Sequence, residues 1–366
     1  MTAPTPEPSA SLPQPSRDHF LLVACQPGSE EAVFLAQQAF LPEATRAAWR
    51  KGVVTFRLPE HCPLPGDFEL PFSRTLVRSL GQVTGSSPSD LASAAVAAAP
   101  QAPACVHVWQ RVPPLRREPK PGQTSEPLPS AAEVHTEIAR LLGHEEASEG
   151  HEAVAGRVAS RGETVLDLVI DSADRAWLGW HEPRSAVSCW PGGIYGGTLP
   201  EDAVSRAWLK LDEALAAFEV PVQAGQRACE LGAAPGGASQ RLLGLGLRVV
   251  GIDPAEIDPR VAEHPNFEHW QMRARDVRLK QLRGFDWLVT DMNIDPSSTM
   301  DALERVATAP GSSLRGIIAT LKLPRWSRAA DLPGWCDRFR SWGFTPQARQ
   351  LSCGGREVCV VAQRPS

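Results

Sequence analysis

"TPQARQLSCGGREVCVVAQR", residues 345–364, decides the architecture of the C-terminal half. Two stretches of extended character, Thr345–Cys353 and Arg356–Arg364, flank Gly354-Gly355, the pattern of two antiparallel strands joined by a tight turn. What precedes the hairpin has a different rhythm. The residue pattern predicts helix 205–218, strand 227–232, helix 237–246, strands 248–253 and 285–292, helix 300–309, strand 316–323 and helix 332–343. Alternation of this kind builds a mostly parallel, doubly wound α/β sheet with helices on both faces. A hairpin closing such a sheet separates it from the dehydrogenase arrangement.

Length and composition bound the rest. The chain has 366 residues, 42% of them hydrophobic, enough for two domains with cores of their own. The expected division is a disordered leader (1–17), a smaller N-terminal α/β region (18–200) and the doubly wound domain (201–366). The leader, "MTAPTPEPSASLPQPSRD" with its last residue, has neither the basic start nor the apolar middle of a secretory signal, and no apolar run suits a membrane span, so a cytoplasmic, membrane-free protein is expected. Eight scattered cysteines form no C-x-x-C or Cys/His cluster, which argues against a disulfide framework and against a metal site. The N-terminal region contains strand signals at 19–27, 52–59, 105–112, 163–171 and 176–182 and helix signals at 29–40 and 130–143; a proline-rich loop occupies 112–130. The acidic "HEEASEGHE" (144–152) fits no helical ligand pair and reads as a solvated loop. Net charge is −5, with no strongly basic half, so any nucleic-acid contact has to rest on local patches.

The chemistry-bearing residues lie in the C-terminal half. "CELGAAPGGASQRLL" (229–243) places Gly232, Ala234, Pro235, Gly236 and Gly237 between a strand and a helix, where backbone can approach a nucleoside. Asp253, 21 residues after Gly232 at the end of the next strand, is positioned to accept ribose hydroxyls, and the G-x-G-x-x-G order of a nicotinamide site is missing. Asp291 in "DWLVTDM" and Lys322 in "ATLKLP" end strands, and Glu357 opens the last one, so all three belong to the sheet edge at which ligands bind. Lys210 sits in the apolar helix "VSRAWLKLDEAL". The half contains three lysines, and two of them occupy these contexts. Read singly, Lys210 suits a snorkelling helix lysine, Asp291 a helix cap, Lys322 an exposed loop and Glu357 a surface pair. Together with the glycine loop those separate readings become improbable.

"SRAWLKLDEA", "LGAAPGG", "TDM", "LKLP" and "REVCVVA" resemble, in order, the motifs of the FtsJ-like ribose 2'-O-methyltransferases. The resemblance implies a Rossmann-like methyltransferase sheet, S-adenosylmethionine as cofactor, and a Lys-Asp-Lys-Glu tetrad that falls on Lys210, Asp291, Lys322 and Glu357. "LLVACQPGSEEA", "ELPFSRTLVRSL" and "GGIYGGTLPEDAVSRAWLKLDEA" are similar to two-domain bacterial members that methylate a cytidine of 23S ribosomal RNA, in which a THUMP-type RNA-binding region precedes the catalytic domain. It further implies RNA, either 23S rRNA or a precursor particle, as partner.

A ribose hydroxyl is a poor nucleophile, so in-line methyl transfer calls for a base beside it. A lysine acting as base at neutral pH has to be displaced well below its reference pKa of about 10.4; burial and a second cation act in that direction and carboxylates act against it. On this reading Lys322 takes the proton, Lys210 holds the nucleophilic oxygen, and Asp291 and Glu357 orient both lysines. Asp291 also counts among the cofactor contacts. Asp276 in "RARDVRL" is a candidate for the adenine amino group, with a solvated charge among arginines as its rival, and Ser205 is a candidate cap for the Lys210 helix that also touches cofactor. Arg206, the run from Arg273 to Arg283, and Arg325, Trp326 and Arg328 are candidates for gripping RNA, with core packing the competing role for Trp326. Two other classes stay open: a methyltransferase of this fold acting on a small molecule or peptide, and a non-catalytic RNA-binding protein.

Overall fold

The computed structural model describes residues 20–59, 68–112, 128–144, 150–151 and 153–365. The leader, Cys62, most of the proline-rich loop and most of the acidic segment 144–152 lie outside the described residues.

The N-terminal region is built on one nine-stranded sheet. Its strands are β1 (Phe20–Cys25), β2 (Thr45–Arg50), β3 (Val53–Arg57), β4 (Ser73–Thr84), β5 (Cys105–Gln110), β6 (Gly150–His151), β7 (Val154–Ala155), β8 (Val165–Ser172) and β9 (Arg175–His181). They run in the order β2-β3-β1-β4-β9-β8-β5-β7-β6, antiparallel except for the β5/β8 pair. Helices α1 (Glu30–Phe40), α2 (Pro88–Ala98) and α3 (Ala131–Leu142) pack on it. Helix α2 and strands β2 and β4 are absent from the sequence-based assignment. Helix α2 starts on a capping signal, with the Ser87 hydroxyl accepting the Asp90 N–H and Pro88 in the first turn.

Helix α4 (Ala207–Ala217) leads into the second, seven-stranded sheet: β10 (Arg227–Leu231), α5 (Gly237–Gly244), β11 (Arg248–Ile252), α6 (Pro259–Ala262), β12 (Phe267–Trp270), β13 (Trp287–Thr290), α7 (Pro296–Ala307), β14 (Gly316–Lys322), α8 (Leu332–Ser341), β15 (Thr345–Arg349) and β16 (Glu357–Gln363). The order β12-β11-β10-β13-β14-β16-β15 is parallel up to β14 and antiparallel through the final hairpin. The four central parallel strands are almost wholly buried, which is why they read as continuous apolar runs. Helix α7 begins four residues before the expected Met300, because Asp295 caps it through the Ser297 N–H and Pro296 opens it.

The two sheets share a core. Leu21, Val23, Phe56 and Phe72 lie in one buried apolar cluster with Ile317, Leu321, Trp335 and Phe339. Polar bonds cross the same junction: buried Arg349 donates to the carbonyls of Ser73 and Arg74 at 3.0 and 3.3 Å and pairs with Glu69 at 2.7 Å, and the Gln26 amide donates to the Leu351 carbonyl. The N-terminal region is therefore held against the hairpin that carries Glu357.

Candidate active site

The sheet register places the first pair. Lys322, the last residue of β14, lies directly opposite Glu357, the first residue of β16, so their side chains leave the same face as cross-strand neighbours. Asp291 follows the end of β13, the parallel neighbour of β14. Lys210 comes from α4, whose Leu211, Ala214 and Leu215 are buried in the core and fix the rotation of the helix.

These four side chains meet. Lys322 Nζ lies 2.5 Å from Asp291 Oδ1 and 2.5 Å from Glu357 Oε2; Lys210 Nζ lies 3.1 Å from Asp291 Oδ2 and 2.8 Å from Glu357 Oε1. The result is a closed ring in which each ammonium bridges both carboxylates. No side chain in it is more than 18% exposed. Burial works against charge on Lys210, but Glu357 and Asp291 outweigh it and hold its pKa above the ordinary lysine range. Burial likewise raises the Glu357 carboxyl, and the two lysines reverse that, leaving it lowered. Lys210 is thus a permanent cation at neutral pH. The charges balance at two positive and two negative, so no isolated ion is left in a poorly solvated place.

Beside the ring opens a cavity of about 370 Å³, bounded by Ser205, Lys210, Asp291 and Glu357 on one side and by Gly232, Ala233, Ala234, Pro235 and Gly237 on the other. Gly232 has φ +74°, and a Cβ there would stand 2.4 Å from the Met292 side chain. A Cβ on Gly237 would stand 2.1 Å from Ser205 Oγ. Both glycines are needed for the loop to close on its neighbours. Such a cradle of bare backbone beside carboxylates suits a nucleoside carrying positive charge, with peptide groups for its polar edges.

Other expected contacts are placed differently. Gly236, with φ +115°, backs onto Val261 and is not among the cavity walls. The Asp253 carboxylate accepts the N–H groups of Ala234 and Ala255 at 3.2 and 2.8 Å, so it ties the glycine loop to the end of β11 and does not itself line the cavity. Asp276 is exposed, 3.9 Å from Arg275, and also stands outside the walls. The Lys210 helix has Arg206 at its N-cap position; Ser205 Oγ accepts the Ala207 N–H at 3.3 Å from one residue earlier while lining the cavity. Trp326 is half-buried at the junction of the two sheets, edge-on to Phe72 at 6.4 Å with the Arg356 guanidinium 5.9 Å from its ring centre.

Two buried acids were given no role by sequence reasoning. Glu230, at the cavity wall, is 2% exposed and accepts Ser239 Oγ; burial pushes its carboxyl up to about 8, so it is mainly neutral at pH 7. Glu213, one turn after Lys210 on α4, accepts the Ser352 and Cys353 N–H groups at 2.5 and 2.7 Å and fixes the turn before Glu357. Their only sequence signal is an acid inside an otherwise apolar segment. Among the described residues no cluster of three or more metal-ligating side chains occurs, and the seven described cysteines are buried and in no disulfide.

Residues 203–321 match the family model of FtsJ-like methyltransferases, a span that includes Lys210, the glycine loop and Asp291 and ends one residue before Lys322. The chain carries an FtsJ-like methyltransferase domain. Its curated relatives include proteins named "Ribosomal RNA large subunit methyltransferase M". That of Laribacter hongkongensis is 32% identical over 226 residues, 58% of this chain and 63% of the relative. That of Thauera aminoaromatica is 37% identical over 175 residues, 46% of each, and that of Xylella fastidiosa is 35% identical over 208 residues, 54% of this chain and 57% of the relative. The matched stretches therefore span about half the length of these relatives.

Proposed function

We propose that the protein transfers the methyl group of S-adenosylmethionine to a ribose 2'-hydroxyl of RNA, a cytidine of 23S ribosomal RNA. The observation that carries this reading is the Lys210–Asp291–Lys322–Glu357 ring at the mouth of the glycine-lined cavity. The relatives' names support ribosomal RNA as substrate, and the N-terminal region (18–200), read as THUMP-like, would contribute to holding it.

When bound in the cavity, S-adenosylmethionine supplies an electrophilic methyl. The chain's task is to hold a hydroxyl in line with it and to take up its proton. A neutral lysine amine has two N–H groups and one lone pair. Once the Lys322 ammonium has given up one proton to solvent, its two remaining N–H groups match Asp291 and Glu357, both 2.5 Å away, and the lone pair is left for the hydroxyl proton. Lys210, held protonated by the same carboxylates, stabilises the oxygen as negative charge develops. Asp291 and Glu357 keep both amines in register throughout. Ser205, Gly232 to Pro235 and Gly237 would contact cofactor directly, and Asp253 would act by shaping the loop and by reaching the cofactor's ribose hydroxyls.

The test is transfer of radiolabelled methyl from S-adenosylmethionine to deproteinised large-subunit RNA, to assembled particles and to a mixture of small molecules and peptides, followed by nuclease digestion. The expected product is 2'-O-methylcytidine at one site. Label on a base, on a peptide or on a small molecule would overturn the reading, and no transfer together with no S-adenosylhomocysteine binding would favour a non-catalytic RNA-binding protein.

A further inference from the structure

A second cavity, of about 430 Å³, opens at the junction of the two sheets, between helix α1, strand β2 and the short 3-10 helix Trp326–Asp331 that follows Lys322. Trp49 and Trp326 form part of its wall, together with Phe34, Arg46, Glu31 and Gln38. Trp49 is 54% exposed on β2, an edge strand whose six side chains are all exposed, and nothing in its own sheet covers it. The Arg46 guanidinium sits 3.3 Å from the Phe34 ring centre, and Trp326 is half-buried with Phe72 and Arg356 beside it, which leaves Trp49 as the exposed aromatic face of the cavity. Glu30, also in the wall, is turned inward, accepting the Gly28 and Gly52 N–H groups at 3.0 and 2.6 Å.

We propose that this cavity is a nucleobase subsite, holding an unstacked RNA base close to the target ribose. Aromatic faces that accept any base, rimmed by cations that follow the phosphates, are the means by which proteins hold single-stranded RNA. Arg50 and Lys51 stand exposed beside Trp49, and Arg325 and Arg356 stand exposed beside Trp326. Glu31 accepts hydrogen bonds only and Gln38 both donates and accepts, so the wall favours a base with an exocyclic amino group, cytosine, adenine or guanine, over uracil. The position relative to the chemistry follows from the chain: Trp326 is four residues beyond Lys322, and Arg356, next to Glu357, packs its guanidinium toward the Trp326 ring. A nucleotide here and another at the lysine ring would belong to one RNA segment.

The proposal rests on RNA being the substrate, and the experiment separates the two. Binding of a fluorescent large-subunit RNA fragment is followed by anisotropy with full-length protein in the presence of S-adenosylhomocysteine, alongside methyl transfer to the same fragment. Trp49→Ala is expected to raise the RNA Kd and the KM for RNA by about tenfold or more, with Trp49→Phe close to wild type, since stacking needs a ring and not an indole. Transfer at saturating RNA, S-adenosylhomocysteine affinity and melting temperature should not move. Lys51→Ala should lower the salt dependence of binding by about one phosphate contact. Wild-type protein that methylates the fragment together with Trp49→Ala of unchanged Kd overturns the subsite alone. Wild-type protein that neither binds nor methylates RNA overturns the functional reading and the subsite with it. Loss of binding only to protein-containing particles would assign the cavity to a protein partner and refute the proposal.

Discussion

Replacing Lys322 tests the division of labour in the ring. Lys322→Arg keeps the positive charge opposite Asp291 and Glu357, both 2.5 Å from the native amine, but a guanidinium does not release its proton near neutral pH. If Lys322 is the base, arginine should be nearly as damaging as alanine. General-base contributions of about 10²–10⁴ correspond to roughly 3–5.5 kcal/mol in the barrier. Lys322 is not among the walls of the glycine-lined cavity, so S-adenosylmethionine affinity should stay within about threefold, below 1 kcal/mol. Single-turnover methyl transfer to RNA reads the first quantity, and titration calorimetry with S-adenosylhomocysteine reads the second. A Lys322→Arg enzyme with most of the wild-type rate would show that the residue acts through its charge and would refute the base assignment. Lys210→Arg should behave differently: as a cation held protonated by its two partners, Lys210 is replaceable in charge if not in shape, and partial activity is expected.

Asp253→Ala removes the acceptor of the Ala234 N–H and the proposed acceptor of the cofactor's ribose hydroxyls, and should weaken S-adenosylhomocysteine binding by roughly 1.5–3 kcal/mol in calorimetry; a folded variant of unchanged affinity would dismiss both roles. Glu213→Ala leaves two buried N–H groups of the hairpin turn without an acceptor and should cost about 2–5 kcal/mol of stability in urea unfolding, with a fall in transfer rate larger than any change in cofactor affinity. In the N-terminal sheet, buried Asp167 lies 2.5 Å from His181 Nδ1 and 3.7 Å from His107 Nδ1, while His181 Nε2 faces the Ser188 carbonyl at 2.9 Å, so both His181 nitrogens meet acceptors. Burial opposes charge on both partners, and their mutual attraction overrides it, lowering Asp167 and raising His181. The His181 contribution is complete below its unfolded value of 6.5 and is lost as pH rises through the raised one; that of Asp167 is complete above 3.8 and is lost in stronger acid. The urea midpoint should therefore fall as pH rises above 6.5, and His181→Gln should flatten that fall; an equally steep decline in the variant would remove His181 as its source.

The sequence discloses those parts of the fold in which burial is uniform or punctuation is strong. Strands β10, β11, β13 and β14 are buried on both faces and hence mostly apolar away from their ends, Glu230 apart, and Gly354-Gly355 marks the hairpin turn. Strand β12 is four residues long, holds Glu268 and His269, and is nowhere fully buried, so it has no apolar run to detect. Strand β2 is exposed along its whole length, and α2 is so rich in alanine that its two faces differ little. The same division applies at the site. Lys210, Asp291, Lys322 and Glu357 can be picked out as charges placed at strand ends or within an apolar helix, because such placements are costly unless the charges find one another. Asp253 and Asp276 show how far a position argument extends: the end of a strand locates a carboxylate near the crevice, but whether it also bonds backbone, as Asp253 does, or stands exposed outside the cavity walls, as Asp276 does, depends on loop geometry.

The hairpin links the two halves of the molecule to the chemistry. Strand β16 presents Glu357 to Lys322, while the segment before it is held from three sides: Glu213 of the Lys210 helix bonds the turn, Arg349 is anchored to Ser73, Arg74 and Glu69, and Gln26 caps the Leu351 carbonyl. One carboxylate of the ring is thereby positioned by contacts from the N-terminal sheet and from α4 as well as by its own ladder. A parallel sheet alone would end at β14 with Lys322 at an open edge. Adding an antiparallel strand covers that edge and, because β16 runs the other way, brings its first residue and not its last to the ligand end of the sheet. The direction of one strand thus completes the charge balance of the ring, and the N-terminal region that steadies the strand places Trp49 beside the same end of the sheet.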